Sequence, residues 1–108
     1  MDFVVMKAGR ALVWAMAGDD WHQVREAVTY LWSVAYPAPQ VRGVQAELDE
    51  LRDQVLQARS IGDARTEKAL EGVWQIKLQQ FLRAEPALAW RLQDVLDHVL
   101  VPALLSPR

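Results

Sequence analysis

Two pairs of residues carry the spacing that chemistry on a helix requires. His22 precedes Glu26 and Asp94 precedes His98, each by four positions, so each pair sets an imidazole and a carboxylate on one helical face. Brought together across a bundle, His22, Glu26, Asp94 and His98 would make a carboxylate–histidine metal site of the kind that facing helices build. On a helical projection, however, His22 and Glu26 point away from the apolar stripe of their own segment. Asp94 and His98 likewise flank the polar side of theirs. Solvated side chains with weak one-turn pairing are the simpler reading, and no metal or other cofactor is expected.

Nucleophilic chemistry finds little material. The serines are Ser33, Ser60 and Ser106, none within a Gly-x-Ser-x-Gly turn, and there is no cysteine. The missing cysteine also excludes disulfides, thiolate zinc sites and iron–sulfur clusters. The glycines are isolated, so no phosphate-cradling loop is present. Gly72, inside a helical segment beside Val73 and Trp74, either lets another helix or a bulky ring come close or is a tolerated cost of about 1 kcal/mol, and the packing reading is favoured. No catalytic residue is assigned and no enzymatic activity is expected.

Composition agrees with a structural rather than a nucleic-acid-binding chain. The 108 residues are 52% hydrophobic and 24% charged, with a net charge of −2. That is too apolar for a disordered chain and fits a single domain over 1–108. Arg42, Arg52, Arg59 and Arg65 are interleaved with Glu47, Asp49, Glu50, Asp53 and Asp63, so no basic stripe forms there and no nucleic acid is expected. The apolar stretch 3–17 is broken by Lys7 and Arg10 and falls short of the ~20 residues of a membrane span. It also lacks the order of a secretory signal and the strongly basic polar face of an interfacial helix, so no membrane partner is expected. A bacterial cytoplasmic protein is the expectation, the bacterial source resting on a bias of nine Arg to three Lys with no Asn.

Helices must position whatever works here, since no segment alternates with period 2. Gly18 is a residue type that ends a helix cheaply in the left-handed conformation, with Asp19 or Asp20 to cap the next and Gln23 completing a capping-box pattern. Trp21, Val24, Val28, Leu31 and Ala35 then repeat at 3-4-3-4, until Tyr36-Pro37-Ala38-Pro39 stops the helix. Val41, Val44, Leu48, Leu51, Val55 and Ala58 form a narrow seam, closed by Gly62 and followed by a cap at Asp63. Leu70, Trp74, Leu78, Phe81 and Leu82 line the next helix. Leu88, Leu92, Val95, Leu96 and Val99 line the last, with a loose tail over 103–108 after Pro102. The expected fold is all-α, a four- to five-helix bundle with helices at about 2–17, 20–35, 39–61, 63–84 and 86–100. The third and fourth form a long antiparallel hairpin.

Protein contact is the function with positive support. The first helix is apolar nearly all round, with Phe3, Val4, Met6 and Trp14 among residues that cannot all face one small core. Either the other helices wrap it or another chain does. In the last helix, Trp90 lies opposite the apolar face with Val101 as its neighbour, and Trp is enriched at binding hot spots. Of the five tryptophans, Trp21, Trp32 and Trp74 sit on or beside apolar stripes and read as core. Trp14 shares a face with Lys7 and Arg10, within reach of a cation–π contact. The segments Ala11-Leu12-Val13-Trp14-Ala15-Met16-Ala17, Ala46-Glu47-Leu48-Asp49 and Glu85-Pro86-Ala87-Leu88-Ala89 resemble uncharacterised small all-helical proteins of actinomycete type. That resemblance implies no activity and no functional residues.

The reading is a non-enzymatic interaction or oligomerisation module whose partner is another protein or itself, a homo-oligomer being the expectation. Its interface candidates are Trp90, Val101, Phe3, Val4, Met6 and Trp14. The alternatives are a small regulatory, antitoxin-like subunit binding a separate effector, and the carboxylate–histidine metal bundle.

Overall fold

Asp2 begins the first helix by capping it. Its carboxylate accepts the Val4 N–H at 3.1 Å, and α1 (Phe3–Met16) follows. The computed structural model describes residues 2–105, and all of its regular structure is helical. After α1 come α2 (Trp21–Ala35), α3 (Ala38–Ser60) and α4 (Ala64–Ala84), then a 3₁₀ turn at Pro86–Leu88. From there α5 (Ala89–Val95) runs through a π turn (Leu96–Leu100) into α6 (Val101–Leu105) as one continuous helical stretch. Bounds read from glycine, proline and aspartate punctuation agree to within a residue or so for the first four helices.

The hairpin turn shows how closely local sequence dictates geometry. Gly62 takes φ +70°, the Asp63 N–H reaches the Ala58 carbonyl at 2.8 Å, and the Gly62 N–H reaches that of Arg59 at 3.2 Å. This is the Schellman closure that a left-handed glycine makes cheap. Asp63 then caps α4, accepting from the Thr66 N–H at 3.1 Å and the Thr66 hydroxyl at 2.6 Å. Those hydrogen bonds, the hydroxyl's first, hold the Asp63 carboxyl below its ordinary value. The folded chain therefore binds that proton more weakly than the unfolded chain. The cap's stabilisation is complete above the unfolded pKa, near pH 4, and is lost as pH falls through the folded value. Asp63→Asn is expected to flatten this acid limb, read as urea midpoints measured across it.

Two expectations at helix ends are corrected. Gly18 is not left-handed; α1 closes through Ala17 at φ −84°. A side chain from α3 finishes the helix instead: Arg52 Nη1 donates to the carbonyls of Met16 at 2.6 Å and Gly18 at 3.3 Å. Asp20 occupies the cap position of α2 without a side-chain capping bond, so the capping box with Gln23 does not form.

Among the described residues no polar or charged residue is buried as a whole, and Thr29 Oγ1 is a buried side-chain oxygen without a hydrogen-bond partner. The α3 seam is buried from Val44 to Ala58, with Val41 half-buried at its start. Trp32 stacks on Phe81 with ring centroids 4.3 Å apart, and Tyr36 borders the pair. Trp74 is buried, whereas Trp21 is half-buried beneath the Arg52 guanidinium, 4.4 Å from its ring. Across helices, Arg25 forks onto Asp49 at 2.7 and 3.1 Å, Arg59 pairs with Glu67, and Lys77 with Glu47.

α1 is the central helix. It touches α2, α3, α4 and the C-terminal stretch, and packs most extensively on α4. The two run antiparallel: Gln79 lies by the Asp2 N–H, Gln75 donates to the Met6 carbonyl at 2.8 Å, and Glu71 accepts from the Trp14 indole at 3.0 Å. The close approach expected at Gly72 occurs at Gly9 instead. A Cβ on Gly9 would stand 2.9 Å from the Gln75 backbone nitrogen, while one on Gly72 would meet nothing within 4 Å. Gly72→Ala is therefore expected to raise stability by about 0.5–1 kcal/mol through helix propensity alone, read by urea unfolding.

The C-terminal helix departs from expectation after Leu96. Its Val101 N–H bonds the Leu96 carbonyl, five residues back. One residue added to the register turns everything beyond it by about 100°. Pro102 has no N–H and its ring crowds the preceding turn, which a wide π turn relieves. The helix therefore passes Pro102 and continues to Leu105, so 103–105 are helical rather than a loose tail. Residues 106–108 lie outside the described residues.

Candidate protein-interaction face

Of the four candidate metal ligands, all are exposed. Glu26 and His98 line one open groove of about 590 Å³ between α2 and the C-terminal helix, together with Asp20, Tyr30 and Pro102. His22 instead packs against the Trp21 ring at 3.6 Å, and Asp94 keeps to His98, 3.0 Å from its Nδ1. Among the described residues no three His, Asp or Glu side chains gather in a way that could hold a metal ion. The i, i+4 spacing is real on each helix, but the bundle does not bring the two pairs together as a site.

The six interface candidates divide by helix. Trp90 is 62% exposed, its ring covered on one side only by the Arg91 guanidinium at 4.7 Å. Val101 is not its partner on that surface. The π turn rotates Val101 from the outer side toward the core, where it is half-buried and packed against the apolar cluster. Val4 is likewise half-buried against the core.

Phe3, Met6 and Trp14 remain in water along α1, Phe3 at 77% exposure. With Lys7 and Arg10 they make a strip about 100° wide, the part of α1 that the other helices leave uncovered. Trp14 makes no cation–π contact with Lys7 or Arg10. Its indole N–H bonds Glu71, and Arg10 Nε lies 3.5 Å from the same carboxylate. Glu71 therefore fixes one aromatic and one cation of the strip from the neighbouring helix.

α4 continues this surface with a stripe that the sequence reading passed over. Arg65, Ala69, Gly72, Ile76 and Arg83 share one line of the helix at 4-3-4-7 spacing, with Val73 off that line toward α3, where it lines a groove with Glu47, Glu50 and Lys77. Val73 and Ile76 are each 54% exposed. The signal was present in the sequence: Val73 and Ile76 lie off the side of Leu70, Trp74 and Leu78, so α4 is apolar on two sides. Between the two strips Phe3, Met6, Lys7, Arg10 and Gln75 enclose a notch of about 290 Å³.

No protein-family model, curated protein or solved structure matches this chain. What the structure itself offers is the face of α1 and α4. It presents apolar side chains with cations at their margins, and no helix of the described residues is long and apolar enough to cross a membrane.

Proposed function

We propose that this chain is a non-enzymatic protein–protein interaction module that works through the outward face of α1 and α4. One observation carries the reading: Phe3, Met6, Trp14, Val73 and Ile76 stand in water on the two most extensively packed helices. Isolated exposed apolar residues are ordinary, but a run of them along adjacent helices marks a contact surface. Fixing this face on an apolar core holds its side chains in place before a partner arrives, which reduces the ordering cost of binding. Trp90, on the C-terminal helix, stands apart from this face and serves as its control.

The test is purification of the tagged chain under native conditions, with molar mass read by light scattering. The reading predicts a stoichiometric complex with another chain or a second copy. It predicts loss of that complex in Phe3→Ser/Ile76→Asp, whose helical signal stays intact, and retention in Trp90→Ala. A 12.3 kDa monomer without a stoichiometric partner would overturn it.

A further inference from the structure

Cations are sorted unevenly over this molecule. Arg25, Arg59 and Lys77 pair with acids across helices, and Arg52 is taken up by the end of α1. Lys7, Arg65, Lys68 and Arg83 take part in no ion pair among the described residues, and all four are exposed. All four lie along the α1–α4 face, against two cations elsewhere that are unpaired among the described residues, Arg42 on α3 and Arg91 over the Trp90 ring. Three acids of these helices are engaged elsewhere: Glu71 holds Trp14 and Arg10, Glu67 holds Arg59, and Asp2 caps α1. A chain of net charge −2 thus presents a basic margin around an apolar strip on one face.

From this arrangement we infer that the face receives an acidic amphipathic helix of a partner protein, an inference that rests on the interaction reading above. Its apolar residues, recurring every three to four positions, would lie along Gly72 and Ile76, on the side of α4 away from Glu47 and Glu50, with a large one entering the notch between Phe3, Met6 and Gln75. Its carboxylates would meet Lys7, Lys68, Arg65 and Arg83. Gly72, with nothing over it within 4 Å, lets the incoming helix come close. Charge argues against a second copy as the occupant. A symmetric pairing of α4 with itself sets Arg65 against Arg83 when antiparallel and Arg65 against Arg65 when parallel, like charges in both cases. The chain's own acidic helix, α3, already commits Glu47 to Lys77 and Asp49 to Arg25.

The probe is a synthetic helical peptide of about 18 residues, long enough to hold a helix, with Leu and Phe on one side and Glu on the other. Three peptides are titrated into the isotopically labelled full chain: this one, a Lys-for-Glu version, and a Glu-rich version lacking the apolar residues. The expected result is binding of the first alone, weakened by added salt, with amide shifts confined to α1 and α4. Arg65→Glu/Lys68→Glu should weaken it by about tenfold, equivalent to about 1.4 kcal/mol, and Trp90→Ala should leave it unchanged. Equal binding of the Lys peptide, shifts centred on Trp90, or dimerisation in place of peptide binding would overturn the inference. So would a preference for anionic lipid vesicles or for single-stranded nucleic acid over the peptide. If the peptide fails while a native partner still depends on Phe3 and Ile76, this inference falls and the interaction reading stands. If neither binds, both fall.

Discussion

Gly9→Ala is expected to destabilise the protein, although alanine is the better helix former. An interior Gly→Ala change ordinarily gains up to about 1 kcal/mol. Here the new methyl would stand 2.9 Å from a backbone nitrogen of α4. The Gln75 side chain can swing aside, but the α4 backbone cannot move without taking Trp74 and Leu78 with it, and both are buried. α1 must therefore lift away from α4 along their extensive contact. Overpacking of this kind costs about 1–3 kcal/mol, which outweighs the propensity gain. Because Gln75 also donates to the Met6 carbonyl, the displacement strains that bond too. Urea unfolding should give a lower midpoint for Gly9→Ala and a higher one for Gly72→Ala. The same substitution in two helices would thus act with opposite sign, and equal signs would contradict the packing described.

Arg52→Met is the second large effect. Methionine keeps much of the apolar stem, so packing along Trp21 is partly retained. What is lost is the donor to the Met16 and Gly18 carbonyls, in a place where both residues are buried, and the guanidinium over the indole. Charged hydrogen bonds of this sort contribute about 1.5–3 kcal/mol, and the end of α1 would be left without its positive partner. A loss of about 2–3 kcal/mol is expected, with the denaturant slope unchanged because the surface exposed on unfolding is the same. Arg52→Lys should recover only part of it, since one ammonium cannot both reach two carbonyls and lie flat on a ring.

These two residues also mark where sequence reasoning stops. Helix limits were legible because glycine, proline and aspartate act locally: Gly62 and Asp63 build their turn from their own backbone and neighbours. The buried sides of α2, α3 and α4 were legible because apolar residues recur every three to four positions. Arg52 was not, because a carbonyl 36 positions earlier is a tertiary partner with no local trace. Gly9 and Gly72 are the same residue type inside two helices, and only the helix opposite decides which has no room for a methyl. Val101 was misplaced because a constant helical step cannot foresee a π turn. On the candidate face the α1 half was read from Phe3, Met6 and Trp14. The α4 half was masked by the stronger core stripe running alongside it.

If the face of α1 and α4 is the working surface, its amides must change when the partner binds. Hydrogen exchange on the chain, alone and in the complex that purifies with it, measures this directly. The expected result is slowed exchange over 3–14 and 69–80, with α2 and the Trp90 segment unchanged. Slowing confined to 89–105, or to the outer sides of α2 and α3, would contradict the account.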